Sequence, residues 1–152
     1  LNNMRQSITK CSDCFSFAET NPCPLCSSPS RNRQYLCIIH KAQEIEVIEK
    51  SKAFDGLYFV LDQKINPLEP GPMPERVNRL IQRIKQDKIT EIILAFNPDL
   101  EGETMILYLK KQLAEFPDLK LSRLARGLPM GADLQYADEI TLENALKGRQ
   151  KI

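Results

Sequence analysis

The chain lacks an excess of either charge: 21 Lys and Arg stand against 20 Asp and Glu, for a formal net charge of +1. That balance excludes a chain-wide electrostatic footprint for nucleic acid, so contact with DNA must be local or come from outside these 152 residues. No apolar run approaches the roughly 20 residues that cross a bilayer. No secretory leader stands at the start, so the expectation is a cytoplasmic protein with no membrane segment. Internal repeats and low-complexity tracts are also missing. The chain opens on Leu1 with no initiator Met, and reads as a fragment of something longer. What is present suffices for a real core: 42% of residues are hydrophobic and 27% charged, and the length suits one compact domain plus a small module.

The small module is written in cysteine. Cys11, Cys14, Cys23 and Cys26 form Cys-x2-Cys-x8-Cys-x2-Cys. Each close pair can present two thiolates to one ion from a single tight turn, and two such turns complete a tetrahedral zinc shell. The enclosed segment, Phe15 to Pro22, is too short for a core of its own, so the metal would supply the folding energy. Four protein ligands leave no open position, which makes the expected zinc structural. The alternative is a pair of disulfides, and the missing secretory leader argues against it. Pro22, Pro24 and Pro29, with Ser27, Ser28 and Ser30, mark turns and the module's exit. The fifth cysteine, Cys37, sits in an apolar run and reads as a small core residue.

The remainder alternates strands with helices. Strands are expected over Leu36 to Ile39, Leu57 to Leu61, Ile92 to Phe96 and Leu121 to Ala125, with a short edge strand at Tyr136 to Glu139. Helices are expected over Ala42 to Lys52, Glu75 to Asp87, Thr104 to Glu115 and Thr141 to Lys147. Val77, Leu80, Ile81 and Ile84 give the second helix an apolar face. The alternation predicts an α/β fold, a parallel sheet flanked by helices on both faces. Between the second strand and the next helix lies a loop from Asp62 to Pro74, rich in proline, of a length that is often functional.

The stretch Glu91 to Thr104 organises this body. An apolar run of strand length stops at Asn97-Pro98, because proline cannot join the ladder and pushes its predecessor out of helical geometry. Asp99, Glu101 and Glu103 follow at alternating positions. The carboxyl edge of an open α/β sheet is where ligands bind. Read plainly, the acids are a solvated loop that favours the positive end of the next helix. Read as a site, they are a weak magnesium site or a surface for a basic partner. Placing the first and third strands side by side would bring His40, the one histidine, to this loop. At a strand end, His40 reads first as a surface residue. Arg31, Arg33, Arg123 and Arg126 are candidates for phosphate contact, although isolated arginines more often pair with acids.

Several of these motifs, in this order, resemble a known family. Asn97-Pro98-Asp99-Leu100-Glu101-Gly102-Glu103 resembles the acidic loop of Toprim domains, found in type IA topoisomerases, bacterial primases and RecR. The form with Asn first resembles RecR. So do the four-cysteine module directly before the first strand, Gly56 to Leu61 followed by Ile65 to Leu68, Arg123 to Gly131, and the tail from Thr141 to Arg149. The resemblance implies a Toprim-like sheet over 35–133, preceded by a zinc module over 1–34 that includes a remnant of a helix, and followed by a C-terminal segment over 134–152. It implies a non-catalytic mediator of recombinational DNA repair that acts with RecO and RecF to load RecA onto single-stranded DNA. The alternative is a magnesium-dependent Toprim enzyme. Two departures from the family pattern bear on this. His40 stands where the first Toprim strand usually ends in glutamate. The family's N-terminal helix-hairpin-helix segment, which implies DNA contact and assembly into dimers or rings, has no counterpart in the sequence. No DNA-binding residue is assigned.

Overall fold

The structure, a computed structural model, describes residues 7–69 and 71–152. Two small strands, β1 (Thr9–Lys10) and β2 (Phe17–Ala18), pair antiparallel and carry the first cysteine turn between them. A single helical turn, α1 (Pro24–Ser27), carries the second. The body follows as β3 (Tyr35–Ile39), α2 (Gln43–Ser51), β4 (Leu57–Val60), α3 (Glu75–Asp87), β5 (Glu91–Leu94), α4 (Leu100–Gln112), β6 (Lys120–Arg123) and α5 (Glu139–Lys147). One 3-10 turn (Leu113–Glu115) ends α4 and another (Leu134–Tyr136) precedes α5.

The strands form one parallel sheet in the order β4-β3-β5-β6. Successive side chains of a strand point to opposite faces, and the strands β3 and β4 are apolar on both. Leu36, Ile38, Leu57, Phe59, Ile92 and Leu94 meet Val77, Leu80, Ile81 and Ile84 of α3 and Met105, Ile106 and Leu109 of α4. Cys37, Ile39, Tyr58 and Val60 meet Ile45 of α2, with Leu25 of the module packed alongside. Continuous apolar runs are what a sheet covered on both faces requires. Cys37 is therefore core, and burial, reinforced by Glu44, pushes its thiol up to about 12.

The chain starts in the middle of the sheet at β3, steps out to β4, then crosses back to β5 on the other side. The direction of winding reverses between β3 and β5, and the crevice beyond their carboxyl ends is where this class of fold places its ligands. Parallel register sets Ile38 beside Leu94, so the residues just past both strands share that crevice.

Three local expectations are corrected. The stretch Tyr136 to Glu139 is no strand: Leu134–Tyr136 is a 3-10 turn, and Asp138 caps α5 by accepting from Thr141 N–H at 2.7 Å. The helix expected from Thr104 begins at Leu100, so two of the three alternating acids lie on it. The third body strand ends at Leu94, with the Ala95 amide adding one more bond to the Ile38 carbonyl at 2.9 Å. The helix remnant expected within the first ten residues lies outside the described residues up to position 6, and Thr9–Lys10 is strand. Among the described residues no helix is long and apolar enough to cross a membrane.

Candidate metal centre and the acidic edge of the sheet

The first cysteine turn closes on itself. The Cys11 amide donates to the Ser16 carbonyl at 2.7 Å and the Phe15 amide to the Cys11 carbonyl at 2.9 Å, with Phe15 in the left-handed region at φ 65°. In the second turn Cys23 caps α1: its sulfur accepts from the Cys26 amide at 3.4 Å, and Pro24 occupies the first helical position, where no N–H is needed. The Cys23 amide reaches across to the Cys11 sulfur at 3.3 Å. All four sulfurs lie within 4.8 Å of one another, and Cys14 and Cys23 Sγ are 3.6 Å apart. Zinc–sulfur bonds of about 2.3 Å place tetrahedral ligands about 3.8 Å apart, so the donor set fits. The four side chains are buried and none is in a disulfide.

The four thiols share charge unevenly. The hydrogen bond from the Cys26 thiol, outweighing burial, holds Cys14 down to about 5, with Ser16 adding to it. The same bond and burial push Cys26 up, and burial raises Cys23. With its ligands deprotonated, the set binds zinc as a structural ion with no open position, and the metal's binding energy is folding energy for the module.

The module is fastened to the edge of the sheet. β4 is an outer strand, and unpaired groups on such a strand invite further pairing. Here the Val60 amide donates to the Cys14 carbonyl at 2.8 Å, Arg83 donates to the Tyr58 carbonyl at 2.7 Å, and Arg76 to the Val60 carbonyl at 2.7 Å. Phe15 stands edge-on to Phe59, ring centres 5.4 Å apart, under the Arg76 guanidinium at 4.1 Å. Sequence reasoning missed Arg83. Its signal was its place three residues after Leu80, at the border of the apolar face of α3.

At the switch point, His40, Phe96, Asn97, Asp99, Glu101, Gly102 and Met105 line one small crevice. The expected approach of His40 to the acids is therefore observed. Each acid has a different situation. Asp99 is the cap of α4, accepting from the Gly102 amide at 2.8 Å. Glu103 lies between two arginines, with Arg123 Nη1 at 3.3 Å and Arg126 in direct contact. Glu101 is exposed and, among the described residues, makes no hydrogen bond or ion pair. Gly102 is required where it stands: a Cβ there would meet the Asn97 carbonyl oxygen at 1.9 Å, because the first turn of α4 folds back onto the end of the strand. Among the described residues the four cysteines are the one group of three or more ligand-type side chains whose donor atoms converge.

The arginines proposed for phosphate contact are engaged within the chain. Arg31 grips Glu49 with two bonds at 2.8 and 3.0 Å and the Gly56 carbonyl at 2.8 Å. Burial pushes the Glu49 carboxyl up, but the bonds from Arg31 and from the Tyr58 hydroxyl outweigh it and hold Glu49 below the usual range. Arg33 donates to the Cys26 carbonyl at 2.7 Å. Arg123 and Arg126 both meet Glu103.

Comparison with known proteins agrees with this anatomy. The chain matches the family models for the RecR four-cysteine zinc finger domain over residues 8–28, the Toprim domain over residues 34–125, and the RecR C-terminal region over residues 127–150. Its relatives include the recombination protein RecR of Moorella thermoacetica, 44% identical over 149 residues, which are 97% of this chain and 74% of that protein. The recombination protein RecR of Clostridium perfringens is 42% identical over 149 residues, with the same coverage. That of Tropheryma whipplei is 40% identical over 153 residues, covering 100% of this chain and 77% of the relative. A zinc module built on four cysteines, a Toprim sheet behind it and relatives of this closeness along nearly the whole length place the chain in the RecR family of recombination proteins.

Proposed function

We propose that this chain is a non-catalytic mediator of RecR type in recombinational DNA repair, working with RecO and RecF in the loading of RecA onto single-stranded DNA. The observation that carries the non-catalytic part is the state of the switch-point crevice. Phosphoryl transfer on this scaffold asks for a paired metal site and a general acid or base. The crevice offers His40 and Asn97, an aspartate engaged as a helix cap and one glutamate, Glu101, unpaired among the described residues, while Glu103 lies outside its lining between two arginines. Self-association in rings, DNA contact through a helix-hairpin-helix segment, and the division at 34/35 and 133/134 belong to the same proposal.

The acid left over is Glu101, exposed at the carboxyl edge, and we assign it to a basic partner surface. Charge contacts of this kind steer encounter, fix register and weaken with salt. Glu101→Lys separates this role from the structural ones, since it leaves the Asp99 cap and the Glu103 clamp in place. Titrating RecO against wild type and Glu101→Lys at two salt concentrations tests it, with circular dichroism as the fold control. Weaker binding by the variant, most marked at low salt, is expected. Equal affinity at both salts in a folded variant would remove the acidic edge as the partner site.

A further inference from the structure

A polar cleft of about 170 Å³ lies where the module meets α3. Its lining includes Arg33, Arg79 and Arg83, which at first sight describes an anion site. The surrounding charge decides otherwise. Asp13 and Asp87 line the same cleft, and so does Cys26, one of the zinc ligands. A zinc ion among four thiolates carries a net charge of about −2. Three guanidiniums therefore face two carboxylates and a doubly negative centre, and no positive surplus remains for an external anion.

Arg83 is the most constrained of the three. Its side chain is 8% exposed, and a buried charge persists only when paired and hydrogen-bonded. Among the described residues its one carboxylate partner, Asp87, is 3.4 Å away and 39% exposed, which is a weak counter-ion for a buried cation. Its stronger contacts are two carbonyls, Asp13 at 2.8 Å and Tyr58 at 2.7 Å. Asp13 lies inside the Cys11–Cys14 turn, and Tyr58 lies on the outer edge of β4. The second cysteine turn is treated alike, since Arg33 donates to the Cys26 carbonyl. Each ligating turn thus has an arginine on one of its carbonyl groups.

We propose that Arg83 is a positioning residue of the zinc centre: from α3 it holds the Cys11–Cys14 turn through the Asp13 carbonyl and sets a buried positive charge against the zinc tetrathiolate. Groups outside the ligand shell that orient ligands change metal affinity by about 10–100-fold when removed. A planar, always charged fork can bond two carbonyls at once and keep its charge while buried, which lysine does less well.

The test is the rate at which zinc-loaded protein gives up its metal to a chromogenic chelator, with the absorption bands of the cobalt-substituted protein as a second readout. Arg83→Met is expected to release zinc about 10–100-fold faster than wild type and to shift the thiolate-to-cobalt bands. Arg83→Lys, with charge kept and fork lost, is expected to fall between the two. Arg31→Met is the control, because Arg31 also ties the module's exit to the body but grips Glu49 and Gly56 away from the sulfurs. It is expected to melt at lower temperature and release zinc at the wild-type rate. Equal acceleration in Arg83→Met and Arg31→Met would reduce Arg83 to general stability and overturn the proposal. If Arg83→Met does not fold, a wild-type release rate in Arg83→Lys overturns it as well. Wild-type protein without zinc, seen by elemental analysis beforehand, would overturn the metal reading itself.

Discussion

The cysteine module and the acidic edge both set ligand-type residues close together in sequence, and the fold treats them in opposite ways. In the module, two tight turns aim four sulfurs at one point, each turn closed by its own backbone bonds. At the edge, Glu101 and Glu103 fall on the first turn of a helix, where residues two apart do not face each other. Asp99 is drawn to the amide of Gly102, Glu103 to Arg123 and Arg126, and Glu101 to solvent. The cysteine spacing converges because the backbone between each close pair is a turn, and the acids fail to because a spacing of two does not share a helix face. On a helix the same alternation disperses the acids, and three carboxylates then answer to three different partners.

Breaking the convergent side should have the largest effect. Cys14→Ser removes a ligand from a set whose zinc contributes about 10–16 kcal/mol to comparable small modules. Zinc measured by elemental analysis should fall from one per chain to near none. The apolar body should keep its far-ultraviolet dichroism, while the melting temperature drops because a loosened module no longer holds the Cys14 backbone carbonyl on the Val60 amide. Collapse of the body's secondary structure would show that the sheet depends on the module for more than its edge.

Breaking the divergent side should cost less. Gly102→Ala drives a methyl group into the Asn97 carbonyl, and overpacking of this kind costs about 1–3 kcal/mol in urea unfolding. Zinc content should not change. A variant as stable as wild type would mean that the first turn of α4 does not fold back on the strand as described.

The smallest effect sharpens the comparison through a fourth acid, Glu49. Glu49, like Glu103, pairs with arginine, and Arg31 and Tyr58 hold its carboxyl below the usual range. A carboxylate with a lowered folded-state pKa adds stability above its unfolded value of about 4.3, and that stability is lost as pH falls through the folded value. The gap in melting temperature between wild type and Glu49→Gln should be full near neutral pH and narrow progressively below about pH 4.3. A gap constant with pH would assign the difference to packing instead of charge.

Much of the fold was legible because the strands are short apolar runs and α3 repeats its apolar residues at helical spacing. The zinc ligands were legible for the same local reason, with both close pairs read from spacing alone. What escaped depended on tertiary partners. Arg83 looks like any helix-surface arginine until the module is docked against it. Leu100 does not announce a helix start, because its cap, Asp99, also belongs to the acidic run that drew attention as a site. Tyr136 has strand propensity, but Asp133 and Asp138 cap the turn and the helix on either side and take that stretch out of the sheet. The engagement of Arg123 and Arg126 by Glu103 needed the side-by-side placement of α4 and the end of β6.

The central proposal, that the Toprim sheet behind the zinc module holds no catalytic metal site, is tested most directly by one assay. Zinc-loaded protein is incubated with single-stranded and supercoiled DNA in magnesium and in manganese, beside Asp99→Ala, and nicking, primer synthesis and relaxation are measured. No turnover is expected in either protein. Metal-dependent turnover in wild type that disappears in Asp99→Ala would contradict the claim and place catalysis at the switch-point crevice.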